Sequence, residues 1–305
     1  MRLEVQDLRK TFGETEVLHG ISFCVESGSA LGLLGRNGAG KTTTIRILMD
    51  VFKANKGSIQ MDGKPFVPKE YQIGYLPEER GLYPKKTVGE QLVYLAMLRG
   101  LSAKQAKEQT KKWLARMGVS EYENRKLETL SKGNQQKVQL AQTLLCNPDI
   151  VILDEPFSGL DPVNAQILKD VIKEEIVAGK LVIFSSHQMS HVEEFCDEIA
   201  IMNHGDIVLS GNLRDIKREF GKDRLVVASL SETPEVLANL LKTKFSDLLD
   251  VEKIQQNQVV IRENQEGNKL AIMQRLINEG VDIEYFGLYE PSLHDIFVEK
   301  AGDES

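Results

Sequence analysis

Four short apolar runs stand out in the hydrophobic pattern, and none of them alternates with polar residues. They are Ala30–Gly35, Ile150–Asp154, Leu181–Ser186 and Glu198–Gly205. Such runs are typical of strands that are covered on both faces, as in a mostly parallel sheet flanked by helices. Stretches with a helical period lie between them. The pattern therefore predicts an α/β fold.

Two segments depart from this pattern. The runs RLEVQDL and GSIQMDG, together with the turn-like pairs His19-Gly20 and Asp62-Gly63, predict antiparallel strands at the edge of the core. Residues 87–124 are rich in Leu, Ala, Lys and Glu and contain no strand-like run, so they predict a helical insert.

The pattern changes again after about Gly221, where it reads strand, helix, strand, strand, helix, strand and a final helix. A turn is expected near Gln256-Asn257, and Thr233 and Ser292 are the expected caps of two helices. This order is the split βαβ pattern. We predict a large domain over residues 1–220, with its helical insert at about 87–124, and a small α+β domain over residues 221–305.

Composition excludes several classes of protein. The 305 residues are 41% apolar and 27% charged, an ordinary globular balance. The formal charge is -7 and no long Lys/Arg run occurs, which argues against general nucleic-acid binding. Three widely spaced cysteines predict reduced thiols in a cytoplasmic protein. We expect no signal peptide and no membrane span, so a membrane role would come through a partner.

The segment that begins at Gly35 fits G-x-x-x-x-G-K-[ST], with an apolar run before it and a helix-like stretch after it. Glycines let the backbone curl so that N–H groups point at a β-phosphate, Lys41 adds a positive charge, and the Thr42 hydroxyl suits Mg²⁺. Arg36 is expected to face solvent. This phosphate loop predicts a nucleotide site formed by Gly35, Arg36, Asn37, Gly38, Ala39, Gly40, Lys41, Thr42 and Thr43.

Two adjacent acidic residues, Asp154 and Glu155, stand at the end of the apolar run that begins at Ile150. Neighbouring side chains on an extended chain point apart, so Asp154 can hold Mg²⁺ through water while Glu155 polarises the attacking water. His187 follows another strand and should emerge at the same sheet edge, within reach of the γ-phosphate or the water. The alternatives are solvated loop acids and a structural histidine. His191 is left without a role.

LSKGNQQK, Leu130–Lys137, has a hydroxyl residue, a glycine and the start of a helix. Free N–H groups at a helix start attract anions, so this is a second candidate phosphate site. It has no lysine within a glycine loop and no Mg²⁺ ligand. The stretch therefore predicts only half of a phosphate-binding site.

Five motifs, GRNGAGKTT, LSKGNQQK, ILDEP, SGLD and SSH, occur in an order that resembles the ATP-binding cassette (ABC) subunits of membrane transporters. The resemblance covers roughly Met1–Phe220. It implies that two cassettes pair head to tail, and that Ser131 and Gly133 of one contact the γ-phosphate of the ATP that the other holds. It also implies that Phe12 stacks on adenine, unless it packs in the core, and that Ser158–Asp161 crosses the dimer interface.

The chain departs from the family pattern at two places. Glu78 stands where the family usually has a glutamine that senses magnesium and water, and the resemblance implies that it can still approach Mg²⁺. In the stretch Leu130–Lys137, hereafter the signature stretch, Lys132 replaces a glycine and Asn134 replaces a glutamine. LPEER, this variant signature and the C-terminal tail resemble prokaryotic exporter ATPases, some of them assigned to sodium efflux or drug export.

The resemblance implies an ATPase that uses ATP and Mg²⁺ to power export. Its expected partners are a second copy or a paralogous cassette and an integral membrane permease, which would hold it at the inner face of the cell membrane. The loop from Glu78 to Thr87, with Tyr83, is the expected contact for a helix of the permease. Two alternatives stay open: a soluble ABC ATPase that acts on nucleic acid or ribosomes, and a C-terminal domain that senses a ligand or dimerises.

Overall fold

The computed structural model describes residues 1–79, 81–265 and 267–301. They form two compact units, of which the first is Met1–Leu213 and the second begins at Arg214. Within the described residues, no helix has the length and apolar character needed to cross a bilayer.

The strands of the first unit, in chain order, are β1 (Arg2–Phe12), β2 (Thr15–Glu26), β3 (Ala30–Leu34), β4 (Lys56–Met61), β5 (Lys64–Pro65), β6 (Ile73–Leu76), β7 (Ile150–Asp154), β8 (Leu181–Ser186), β9 (Glu198–Asn203) and β10 (Asp206–Asn212). The helices are α1 (Lys41–Leu48), α2 (Val88–Leu98), α3 (Ala103–Arg116), α4 (Lys132–Leu144), α5 (Pro162–Val177), α6 (Met189–Phe195) and α7 (Leu213–Phe220), which ends beyond the first unit. Short 3₁₀ turns lie at Pro68–Glu70, Ser120–Tyr122 and Leu127–Thr129.

The central sheet has the strand order β10-β9-β3-β8-β7-β6. All neighbours in it are parallel except the edge pair β9 and β10. Every residue of β3, β7 and β8 is buried, as expected for strands covered on both faces. The predicted α/β fold is confirmed.

A second sheet, ordered β2-β1-β4-β5, is antiparallel as predicted. The chain turns at Asp62-Gly63 between β4 and β5, which confirms that prediction. The turn predicted at His19-Gly20 is wrong, because this pair lies inside β2 and the chain turns at Gly13-Glu14 instead. Gly20 has φ 109° and is skipped in the pairing with β1, so it forms a β-bulge.

The helical insert is confirmed by α2 and α3. Thr87 caps α2 by accepting a hydrogen bond from the Glu90 backbone N–H at 3.3 Å. Ser102 and Gln105 form a reciprocal capping box at the start of α3. These caps satisfy backbone donors that a helix start leaves without partners, which fixes where each helix begins.

The second unit contains β11 (Arg224–Ser229), α8 (Pro234–Lys244), β12 (Leu249–Gln255), β13 (Gln258–Glu263), α9 (Lys269–Asn278), β14 (Ile283–Leu288) and α10 (Leu293–Ala301). Its antiparallel sheet has the order β12-β13-β11-β14, which is the split βαβ arrangement that the pattern predicts. It has a core of its own, in which Phe245 is fully buried. Thr233 takes the predicted cap position of α8, but its side chain makes no capping hydrogen bond.

Asp295 joins the start of α10 to strand β12. Ser292 Oγ accepts a hydrogen bond from the Asp295 backbone N–H at 3.1 Å and donates to Asp295 Oδ2 at 2.6 Å, so the predicted Ser292 cap is confirmed. Lys253 Nζ donates to Asp295 Oδ1 at 2.6 Å. Burial by itself raises the pKa of Asp295, but the hydrogen bonds from Lys253 and Ser292 outweigh it and lower the pKa to about 2.

Replacing Asp295 with Asn should therefore destabilise the second unit in a pH-dependent way. The folded-state pKa lies below the unfolded value, so the carboxylate stabilises the fold above about pH 4 and loses this effect as the pH falls towards 2. Because a third of the side chain is exposed, we expect a loss of only about 1 kcal/mol at pH 7, shrinking between pH 4 and 2.

Urea unfolding of the full chain, followed by circular dichroism, measures this loss. The single tryptophan, Trp113, lies in α3 and reports on the first unit, which should not change. Glu299→Gln on α10 is the matched control, since its ion pair with Arg224 is long, at 3.5 Å. A loss that stays constant from pH 7 to pH 2 would contradict the assignment.

Candidate nucleotide-binding site

Strand register brings the predicted site together at one edge of the central sheet. Leu34, the last residue of β3, pairs with Ser186 of β8, and Asp154, the last residue of β7, pairs with Ser185. Because these strands are parallel, the segments that follow them leave the sheet side by side. These segments are the phosphate loop, Glu155 and His187.

The phosphate loop encloses a cavity of about 320 Å³ at the start of α1. Gly40 has φ 107°, and a Cβ on Gly35 would lie 2.4 Å from the Met202 carbonyl oxygen, so neither position accepts a larger residue without strain. The residues that line this nucleotide cavity are Val17, Asn37, Gly38, Ala39, Gly40, Lys41, Thr42, Thr43, Glu78 and Glu155.

Lys41 is buried at the cavity wall, with 6% of its side chain exposed. Its ammonium donates to the carbonyl oxygens of Gly35 at 2.8 Å and Arg36 at 3.3 Å, and lies 3.7 Å from Glu155 Oε1. A buried cation needs such partners. The same arrangement places a positive charge where the loop N–H groups would hold a phosphate.

Asp154 is held by two hydroxyl groups and is 1% exposed. Thr42 Oγ1 donates to Asp154 Oδ2 at 3.1 Å, and Ser185 Oγ donates to Asp154 Oδ1 at 2.5 Å. A carboxylate beside a threonine hydroxyl at the edge of a phosphate cavity supplies the oxygen ligands that Mg²⁺ prefers. Sequence reasoning missed Ser185. The available signal was the position of this serine, which directly follows the four apolar residues Leu181–Phe184 at the end of the strand.

Glu155 adopts a strained backbone with φ 49°, unusual for a residue with a side chain. Its backbone N–H is held by the carbonyl and the hydroxyl of Ser185, at 3.2 and 3.1 Å. The carboxylate is 6% exposed, with Oε2 lying 2.9 Å from His187 Nδ1. Glu155 lines the cavity, and its Oε1 is buried and has no hydrogen-bond partner among the described residues. This geometry suits a carboxylate that accepts a proton from water.

Negative charge accumulates at this edge of the sheet. Burial and then the charge of Asp154 raise the pKa of Tyr75 to about 12; Arg46 opposes them, and Glu78 adds the smallest contribution. Tyr75 therefore stays protonated. Glu78 is exposed at the cavity, where the sequence places it as a metal candidate.

The signature stretch lies at the start of α4. Ser131 is exposed and caps the helix by accepting a hydrogen bond from the Asn134 backbone N–H at 3.3 Å. Gly133 is buried against Asn164, and a Cβ there would lie 2.6 Å from Asn164 Nδ2. Gln136 Nε2 donates to the Pro156 carbonyl at 3.0 Å, which ties α4 to the turn after Glu155. Neither Ser131 nor Gly133 lines the nucleotide cavity.

Known proteins share this fold and sequence. A solved structure described as the ATP-binding subunit of an ABC transporter superposes with a TM-score of 0.66 and 33% identity, over 72% of this chain and 94% of that one. The family model for ABC transporters matches residues 18–158. The protein named "Uncharacterized ABC transporter ATP-binding protein YhaQ", from Bacillus subtilis, is 42% identical over 98% of both chains.

The chain belongs to the ATP-binding subunits of ABC transporters. It is accordingly an ATPase. The linearmycin resistance ATP-binding protein LnrL of Bacillus subtilis is 32% identical to this ABC subunit over 75% of each chain. Residues 211–301 match the C-terminal domain of ATP-binding proteins of the DrrA1-3 type.

Seven predicted site residues of this ABC subunit lie outside the cavity lining: Phe12, Gly35, Arg36, Ser131, Gly133, Asp154 and His187. Phe12 ends β1 with 46% of its surface exposed; its ring meets Phe52 edge-on at 5.2 Å, and Lys10 Nζ lies over the ring at 4.9 Å from the centroid. Arg36 is exposed, as expected, and Gly35 contributes its carbonyl to Lys41. His191 packs its ring 4.6 Å from that of Phe157, which gives it a structural contact.

Proposed function

We propose that this ABC subunit powers export through a separate membrane subunit, by pairing head to tail with a second copy or a paralogous cassette when ATP binds. One observation carries the proposal. The phosphate loop and the signature stretch lie on two separate surfaces: the loop lines the nucleotide cavity, whereas Ser131 of the signature stretch is exposed at a helix start and does not line it. A helix start with free donors suits an anion that another chain presents.

Each residue at the cavity has a proposed role. Phe12 would stack on adenine, and the loop N–H groups together with Lys41 would hold the phosphates. Mg²⁺, when bound, would neutralise phosphate charge, and Thr42, Asp154 through water and Glu78 would hold it. Glu155 would orient the attacking water and accept its proton.

His187 would keep Glu155 in place through the 2.9 Å contact between Nδ1 and Oε2, and would reach towards the γ-phosphate with its other nitrogen. Its side chain is 44% exposed, so it can respond to a nucleotide or a partner chain. This makes His187 both a positioning group for the base and a sensor of the terminal phosphate.

The proposed link between the two sites runs through Ser158–Asp161. Asp161 caps α5 by accepting a hydrogen bond from the Asn164 backbone N–H at 3.0 Å, and Asn164 packs against Gly133. If this segment shifts when two copies pair, Asn164 would therefore move against Gly133 and shift the signature stretch of the same chain. Neighbouring packed groups transmit such shifts because protein interiors have little free space.

The loop from Glu78 to Thr87 would contact the membrane subunit and hold this ABC subunit at the inner face of the membrane. In that loop Tyr83 is 55% exposed, while its backbone N–H is fixed to Gln91 Oε1 at 3.0 Å. A fixed backbone that presents an aromatic ring is suited to docking. For the cargo we propose a drug, by analogy with LnrL, with sodium as the alternative.

We propose a regulatory or dimerising role for the accessory domain, residues 221–305. Deletion after Gly221 should leave basal ATP hydrolysis by the cassette domain, residues 1–220, and remove any response to effectors or to a C-terminal partner.

Inverted membrane vesicles test the transport proposal. The chain is co-expressed with the product of the adjacent reading frame, and ATP-driven uptake is measured for a labelled amphipathic drug and for ²²Na⁺. We expect drug uptake that disappears with Glu155→Gln. Uptake of ²²Na⁺ alone would favour the alternative cargo. If a tagged chain recovers no membrane protein and neither probe moves, the transport role is wrong.

A further inference from the structure

The nucleotide cavity has an excess of negative charge in this chain. The charged side chains that line it, among the described residues, are Lys41, Glu78 and Glu155. Lys41 already lies 3.7 Å from Glu155 Oε1 and offsets that carboxylate. Glu78 is exposed and makes no hydrogen bond or ion pair within the described part of the chain. ATP adds further negative charge, which the Mg²⁺ proposed at Glu78 offsets only in part, so a further cation beside Glu78 is favourable.

The signature stretch carries the opposite excess. Lys132 is the first residue of α4, directly after the Ser131 cap, and the first turn holds no acidic side chain. Lys132 is exposed and has no ion-pair partner in the described residues. The N-terminus of a helix already carries partial positive charge, so a lysine there is unfavourable in the isolated chain. It becomes favourable only when an anion comes close.

Both charges occupy positions where the family pattern has neutral residues. Glu78 stands at the usual glutamine and Lys132 at a usual glycine, so the two departures have opposite signs. They also lie on the two surfaces that head-to-tail pairing would bring together. A lysine side chain is long and flexible, and a charge pair at a partly covered interface affects both affinity and partner choice.

We propose that Lys132 of one copy pairs with Glu78 at the nucleotide cavity of a second copy, and that this pair strengthens the ATP-bound dimer. The inference rests on the proposed head-to-tail function. It adds an interface contact between Glu78 and Lys132, and it explains why both positions carry a charge where the family pattern has neutral residues. Since the pair joins two chains, it acts on association and leaves ATP binding by the single copy largely to the phosphate loop.

A double-mutant cycle tests the pair. All four proteins carry Glu155→Gln to hold the ATP-bound state, and they differ in having no further change, Glu78→Gln, Lys132→Gln or both changes. The dimer dissociation constant with Mg-ATP is measured by analytical ultracentrifugation. We expect each single change to weaken pairing about tenfold, and the double change to weaken it no more than about tenfold.

The outcomes are distinct. Lys107→Gln, at an exposed lysine on α3, is the control and should leave pairing unchanged. A double change that weakens pairing about a hundredfold would show that the two residues act independently and would overturn the proposal. An unaffected Lys132→Gln protein would overturn it as well. If the starting protein never pairs with ATP, the head-to-tail function itself fails, and the charge pair fails with it.

Discussion

Replacing Glu155 with glutamine should lower the rate of ATP hydrolysis at least about a hundredfold and leave ATP affinity within about threefold. Glutamine has almost the same shape, so it fits the buried position and can keep a contact with His187. It cannot accept a proton from the attacking water. Glu155 lines the cavity, and its Oε1 has no hydrogen-bond partner among the described residues, so this oxygen is the acceptor proposed for such a water.

The same change should trap the ATP-bound dimer, because hydrolysis is the step that would separate the two copies. Gel filtration with and without ATP, alongside a phosphate-release assay, measures both effects. Glu79→Gln is a suitable control, since Glu79 is exposed and does not line the cavity, and its turnover should be unchanged. Normal turnover in Glu155→Gln would exclude this residue as the base.

The sheet edge could be predicted from sequence for a physical reason. Strands buried on both faces appear as unbroken apolar runs, and parallel strands end at the same edge. Asp154 ends one such run and His187 directly follows another, so the sequence predicts that both lie near the phosphate loop. The register confirms this placement, with Asp154 beside Ser185 and Leu34 beside Ser186.

Pairing between distant segments could not be predicted in the same way. His19-Gly20 has the composition of a turn, yet it forms a bulge because β1 opposes it, and that pairing is invisible in the local sequence. The role of Ser185 in holding Asp154 depends on the register between β7 and β8. Thr233 has the right position for a cap but makes no capping bond, since side-chain rotation is set by its surroundings.

The central claim is that each copy supplies the phosphate loop for one ATP and the signature stretch for another. Two substitutions separate these roles. Lys41→Ala removes the cation at the cavity and should reduce ATP binding at least about a hundredfold. Ser131→Asp keeps a good helix cap but puts a negative charge where a phosphate would approach. Ser131→Asn is the matched control, because asparagine has nearly the same shape as aspartate but carries no charge.

Gly133 is a less suitable target than Ser131. A larger residue there would collide with Asn164 of the same chain, so a loss of activity could come from a disturbed α5. Ser131 is exposed, and its main contact within the chain is the 3.3 Å hydrogen bond from the Asn134 N–H, which aspartate can replace.

Mixing the two inactive proteins tests the claim most directly. In a mixed pair, the intact loop of the Ser131→Asp copy meets the intact signature of the Lys41→Ala copy, so ATP hydrolysis should rise at least about tenfold above either protein alone. A protein that carries both changes, mixed with the unchanged chain, should form mixed pairs with no intact site. Recovery in the first mixture but not from mixed pairs in the second is the predicted result. If the first mixture stays inactive, or if monomeric Ser131→Asp hydrolyses ATP at the normal rate, the shared-site account is contradicted.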